Sequence, residues 1–177
     1  MRKNLIFDDG EAAFLKELKR RRVQFMIVGL SAAALQGAPV VTQDIDLWFR
    51  DLDDPNIRKA LKKVGGILVP SIGFNPPMLA GEAVKLFDIV VHMHGLGSFD
   101  EELHGAETVE LAGVTIDVLP LSRIIKSKFE LGREKDLIAM KVLKDALIVK
   151  QALSRRQSQG NAGKSRARGT RPGRLRQ

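Results

Sequence analysis

Apolar and polar positions change period several times along the chain, and each change marks an element. Residues 10–22 repeat at helical spacing, with Ala13, Phe14 and Leu18 on one side and Lys16, Lys19 and Arg20 on the other. Val23–Val28 is a short apolar run of strand formers that stops at Gly29. Ser31 then opens a small-residue helix over Ala32–Gln36, closed by Gly37. Residues 42–49 alternate as a strand. Asp53, Asp54 and Pro55 start a helix that Gly65-Gly66 stops. Pro70, Gly73, Pro76, Pro77 and Gly81 make residues 67–82 read as loop. Lys85–Met93 is the strongest strand. Two more strands, Glu107–Leu111 and Val114–Leu119, are joined by Ala112-Gly113. From Leu121 the pattern is helical through Lys128, and again from Arg133 to about Leu153. Strands interspersed with helices predict an α/β (α+β) domain with a mixed sheet.

After Leu153 the periodicity stops and the composition turns to Arg, Gly, Ser and Gln. Such a segment buries too little apolar surface to offset its ordering entropy, so 154–177 is expected to be a disordered basic tail behind a domain at 1–153. This split changes the meaning of the net charge of +8. Of 29 Lys and Arg, eight lie in 151–177, which has no acid, and the remainder match the 21 Asp and Glu. The body is neutral, and the basic excess that would suggest nucleic-acid binding sits in the tail.

The chain has no cysteine, which excludes disulfides, a thiol nucleophile and Cys-based zinc sites. No stretch reads as a signal peptide or a bilayer span, so a soluble, cytoplasmic protein without a membrane partner is expected.

The chemistry concentrates in Thr42-Gln43-Asp44-Ile45-Asp46-Leu47-Trp48-Phe49. On a strand, Asp44, Asp46 and Trp48 share one face and Ile45, Leu47 and Phe49 the other. Two carboxylates so placed repel and raise each other's pKa unless a cation sits between them, and hard oxygen ligands at that spacing suit Mg²⁺. A half-exposed strand with a polar face is the plainer alternative. A third carboxylate, Asp88, lies on a strand face otherwise made by Val84, Leu86 and Val90, where it needs a cation or a basic partner. Val28-Gly29-Leu30-Ser31 is a strand-to-helix turn whose N–H groups and dipole suit a phosphate, and whose glycine allows close approach.

Together, Gly29-Leu30-Ser31, a short helix, Asp44-Ile45-Asp46 and a later-strand Asp88 resemble the nucleotidyltransferase superfamily. The string Ala34-Leu35-Gln36-Gly37-Ala38-Pro39-Val40-Val41-Thr42-Gln43-Asp44-Ile45-Asp46-Leu47 is similar to bacterial stand-alone members, including abortive-infection toxins of toxin–antitoxin systems. Ser122–Asp136, with Lys128 and Gly132-Arg133-Glu134-Lys135-Asp136, extends the likeness, which covers residues from about 10 to 150. The chain departs from the family pattern at Gln36, Val40 and Ala139, where His, Arg and Asp are frequent.

The resemblance implies a nucleotidyltransferase-like mixed sheet flanked by helices, with C-terminal helices closing a cleft. It implies a Mg²⁺- or Mn²⁺-dependent enzyme moving a nucleotidyl group from NTP to a hydroxyl of RNA (a tRNA 3′ end first), protein or a small molecule. Asp44 and Asp46 would hold two ions about 4 Å apart or less, and Asp88 would help bind the second and take the acceptor's proton. Gly29 and Ser31 would cradle the phosphates, while Lys128 and Arg133 would neutralise them. For Lys128 and Arg133 the plainer alternative is that they are solvated helix charges or structural partners of Asp136. A cognate antitoxin is an implied partner. Two rivals are a catalytically inactive member that binds a partner, and a nucleic-acid binder driven by the tail.

Weaker signals read as structure. His92-x-His94 is expected to be a surface or loop pair rather than a metal site. Asp117 is the rival third carboxylate, and Trp48 is expected in the core. Gly163-Lys164-Ser165 lacks the first glycine and the preceding strand of a phosphate loop. The broad apolar surface of the last helix, including Leu137, Ile138 and Val149, is expected to be packed.

Overall fold

The computed structural model describes residues 9–166. Its elements are α1 (Asp9–Arg20), β1 (Phe25–Ile27), α2 (Gly29–Leu35), β2 (Ile45–Phe49), α3 (Pro55–Lys63), β3 (Ile67–Val69), β4 (Met78–Ala80), β5 (Phe87–Val90), α4 (Phe99–Leu103), β6 (Glu107–Leu111), β7 (Val114–Val118), α5 (Leu121–Leu131) and α6 (Glu134–Arg166). The mixed sheet expected from the sequence is present, as five strands in the order β5-β2-β1-β7-β6. β2 runs parallel to β5 and antiparallel to β1, and β1 runs parallel to β7.

Local chemistry explains most boundaries. Asp54 caps α3 by accepting the Asn56 N–H at 2.8 Å, with Pro55 at the first helical position. Gly132, at φ 59°, stops α5 in a left-handed conformation. Ala112 and Gly113 both have positive φ, 52° and 78°, the combination that a tight two-residue turn between β6 and β7 requires.

Helices cover both sheet faces. α1 buries Phe14, Leu15 and Leu18, and the Phe14 ring meets Phe87 of β5 edge-on at 5.3 Å. Alternation along β2 sends Ile45, Leu47 and Phe49 to one face and Asp46 and Trp48 to the other. Trp48 is in the core as expected, 5.4 Å from the Phe99 ring of α4. α5 buries Leu121 and Ile124, and α6 adds Leu143.

Four expectations need correction. Residues 67–82 are not a plain loop but an antiparallel pair, β3 and β4, followed by a 3₁₀ turn at Glu82–Val84. The prolines there bound short strands instead of excluding them. α4 went unread because it has five residues, although its Ser98/Glu101 capping box is visible in the sequence. The strand expected over 85–93 contracts to Phe87–Val90, which leaves Val84 in the 3₁₀ turn and Asp88 exposed, not lodged in an apolar face. The packing expected of the last helix is incomplete, because Leu137, Ile138 and Val149 are exposed.

α6 also continues past Leu153 to Arg166, so the helix does not end where the composition changes. Gly163-Lys164-Ser165 lies within it. Residues 167–177 of the expected tail lie outside the described residues. Among the described residues no helix is long and apolar enough to cross a membrane.

Candidate active site

β1 delivers the chain to a turn in which three residues fix one carboxylate. Val28 is extended and heads α2, and Gly29 follows at φ 63°. A Cβ on Gly29 would stand 2.0 Å from Asp46 Oδ2 and 2.9 Å from its Cγ, so only glycine lets the turn and the carboxylate occupy the same place. The Val28 N–H donates to the Asp46 carbonyl at 2.9 Å. The Ser31 hydroxyl is buried, donating to the Val28 carbonyl at 2.9 Å and accepting the Asp46 N–H at 3.2 Å. Both partners of the hydroxyl that the resemblance places at the phosphates are thus backbone groups of the protein. Together these bonds tie the turn to β2.

The pairing of β2 with β5 sets Asp46 directly beside Asp88 in parallel register. Neighbouring strands lie about 4.8 Å apart, so both side chains project from the same face as near neighbours. Asp44 sits in the bend before β2, not on the strand, and the Thr42 hydroxyl bonds its carbonyl at 3.0 Å. Burial pushes the half-buried Asp46 carboxyl up to about 6, and Asp88 and Asp44 push in the same direction against the pull of Lys128. Asp88 is also raised, by partial burial and by Asp44. Like charges gathered without a neutralising partner are costly unless a cation joins them.

The facing wall behaves differently. Asp136, at the start of α6, is buried and bonds Lys128 Nζ of α5 at 2.7 Å and Arg133 Nε at 2.6 Å. Burial alone would raise its carboxyl, but the Arg133 and Lys128 bonds hold it below the usual carboxylate range. Of the two plainer alternatives for these cations, the structure has the pairing with Asp136. Lys128 remains close enough to favour the charged form of Asp46.

Between the walls lies a cleft of about 500 Å³. Gly29, Asp44 and Asp46 line one side, Ile124, Lys128 and Leu131 the other, and His92 and His94 the rim. The histidine pair is an exposed loop pair, as expected, but sequence reasoning missed that it faces the cleft. The signal available was its place directly after the Asp88 strand. Asp117 does not line the cleft; it lies 3.7 Å from Lys19 of α1.

The donor set suits a hard divalent cation in chemistry: oxygen ligands, like charge and raised pKa values. Among the described residues, no three His, Cys, Asp or Glu side chains converge closely enough to form a complete metal site. Phosphate oxygens and water would have to supply the rest of a Mg²⁺ shell, as is usual for that ion.

No family model and no curated protein matches the chain. Solved structures do. The crystal structure of ANT(2″)-Ia in complex with adenylyl-2″-tobramycin is similar with a TM-score of 0.53 at 14% identity, over 82% of this chain and 95% of that one. The solution structure of the antibiotic-resistance factor ANT(2″)-Ia gives a TM-score of 0.53 at 14% identity, over 88% and 94%. The chain thus has the nucleotidyltransferase-like fold of these proteins.

Proposed function

We propose that this protein is a nucleotidyltransferase that moves a nucleotidyl group from an NTP to an acceptor hydroxyl, with Asp44, Asp46 and Asp88 as its metal-binding and catalytic carboxylates. The observation that carries this reading is the register of Asp46 beside Asp88, with Asp44 and Asp46 lining an open cleft. A bound Mg²⁺ or Mn²⁺ would neutralise the polyphosphate and acidify the attacking hydroxyl.

The protein's own groups do the rest. The acceptor oxygen forms its bond to the α-phosphorus as the bond to the pyrophosphate oxygen breaks, and pyrophosphate leaves with that electron pair. Asp88, exposed and with a raised pKa, accepts the hydroxyl proton. The Gly29 turn brings backbone N–H groups to the phosphates. Lys128 lends positive field from the helical wall while bonded to Asp136. Most of the acceleration is positioning and charge stabilisation.

The acceptor classes are a small hydroxylated molecule, an RNA 3′ end and a protein side chain. The adenylylated tobramycin of the similar structure supports the first; the resemblance to toxin-type members supports the others and a cognate antitoxin. The experiment is a screen of four labelled NTPs with Mg²⁺ against aminoglycosides, total RNA and total protein. Label transfer that Asp44→Ala abolishes is expected. Failure of the wild type to bind any NTP with Mg²⁺ or Mn²⁺ overturns the reading.

A second reading is a nucleotide-binding protein without turnover. It is favoured by the engagement of both Lys128 and Arg133 with Asp136. NTP bound but never consumed with any acceptor would select it.

A further inference from the structure

We propose that His92 and His94 are the side chains that hold the polyphosphate of the nucleotide, through their ring N–H groups. This rests on the nucleotidyl-transfer reading of the cleft and adds a binding role that the carboxylates do not fill. A nucleotide's polyphosphate needs hydrogen-bond donors beyond the ions that screen it. The two obvious cations already share their charge with a buried acid: Lys128 and Arg133 both bond Asp136. The cleft's other donors from side chains are the two imidazoles at its rim, besides the hydroxyls of Thr42 and Ser127. Thr42 is turned to the Asp44 carbonyl at 3.0 Å, and Ser127 is buried.

The loop that carries the histidines is built to hold them still. Met93, between them, is buried in the core. The Leu96 N–H closes a turn on the Met93 carbonyl at 3.2 Å. Gly95, at φ 68°, lies so close to α5 that a Cβ there would stand 2.1 Å from Glu130 Cγ. The Gly97 N–H donates to Glu102 at 3.0 Å, and Glu102 is clamped by Arg123 of α5, whose Nε lies 2.7 Å away. The loop is thus fastened at three points while the rings of His92 and His94 stand exposed, edge to face at 5.1 Å. An exposed imidazole pair on a fixed loop loses little conformational freedom when an anion arrives.

The test compares two double variants of the full chain, binding MgATP and inorganic tripolyphosphate. His92→Gln/His94→Gln keeps N–H donors; His92→Phe/His94→Phe keeps flat rings without them. The expected result is about tenfold weaker binding of both probes by the Phe pair. The Gln pair should stay within about threefold of wild type. A Phe pair that binds tripolyphosphate as the wild type does, while losing only MgATP, assigns the N–H donors to a part of the nucleotide other than its phosphates and overturns the proposal. So does a Gln pair as weak as the Phe pair. A wild type that binds neither probe overturns the transfer reading itself, whereas wild-type binding of both probes that neither variant changes overturns the histidine role alone.

Discussion

On the strand wall, Asp46 lies beside Asp88 with Asp44 close enough to raise both carboxyls, and among the described residues no Lys or Arg is hydrogen-bonded to any of the three. On the helical wall, Asp136 is buried more deeply than any of them and is enclosed by Lys128 and Arg133. The residue types are similar, but the electrostatic outcome is opposite. Asp46 is raised to about 6, whereas Asp136 is held below its ordinary range. A carboxylate whose charge is satisfied inside the protein serves the fold. A group of carboxylates left with their repulsion is a candidate site for a ligand from outside.

The largest test of this contrast sets activity against stability. Asp46→Asn should lower nucleotidyl transfer by at least about a thousandfold, since it removes a charge used in the transition state. The same change should leave the protein at least as stable in urea at pH 7, because a repelled carboxylate is gone. A variant that loses stability along with activity would put Asp46 in the structural class.

Asp136→Ala should do the reverse. Removing the acid of a buried cluster strands Lys128 beside it and should cost about 3 kcal/mol. Arg133 is half exposed and can solvate itself, which keeps the cost at the lower end of what such losses show. Equilibrium unfolding at neutral pH measures it, and a loss of under about 1 kcal/mol would make the cluster an ordinary surface pair.

The pH dependence separates the two acids by sign. The folded Asp46 binds its proton more tightly than the unfolded chain does, so its contribution is fully present below the ordinary carboxylate value of 3.8 and is lost as pH rises through about 6. The Asp136 contribution is present above its unfolded pKa and is lost as pH falls through its lowered folded value. Between pH 4 and pH 7 the wild type should therefore lose about 2 kcal/mol relative to Asp46→Asn. Parallel curves for the two proteins across that range would remove the argument from charge. Mg²⁺ should flatten the difference by stabilising the ionised carboxylate.

The strand wall was largely legible in the sequence because its determinants are local. Gly29, the alternation through Asp46 and the later Asp88 are features of single segments. What the sequence did not reveal was their register. That Asp46 lies beside Asp88 follows from strand pairing across some forty positions of chain. The short elements escaped for another reason. β3 and β4 have three residues each among prolines, too few for a period to show. His92 and His94 are loop residues, as their sequence suggests, but their approach to the cleft depends on Met93 turning inward and Gly95 packing on Glu130.

The smallest expected effect belongs to Ser31, whose internal hydrogen bonds make its expected role at the phosphates testable. Its hydroxyl joins Val28 to Asp46 and touches nothing in the cleft. Ser31→Ala should leave the Asp46 N–H without its acceptor, at a cost of about 1 kcal/mol in stability. If the hydroxyl held phosphate, the variant would bind MgATP several-fold more weakly at unchanged stability. If it serves β2 alone, stability should fall while MgATP affinity stays within about twofold, and transfer should drop only as far as Asp46 loses its fixed position. Ser31→Gly would then be worse than Ser31→Ala, since it adds backbone freedom within α2. A ranking in the other order would return Ser31 to the phosphate.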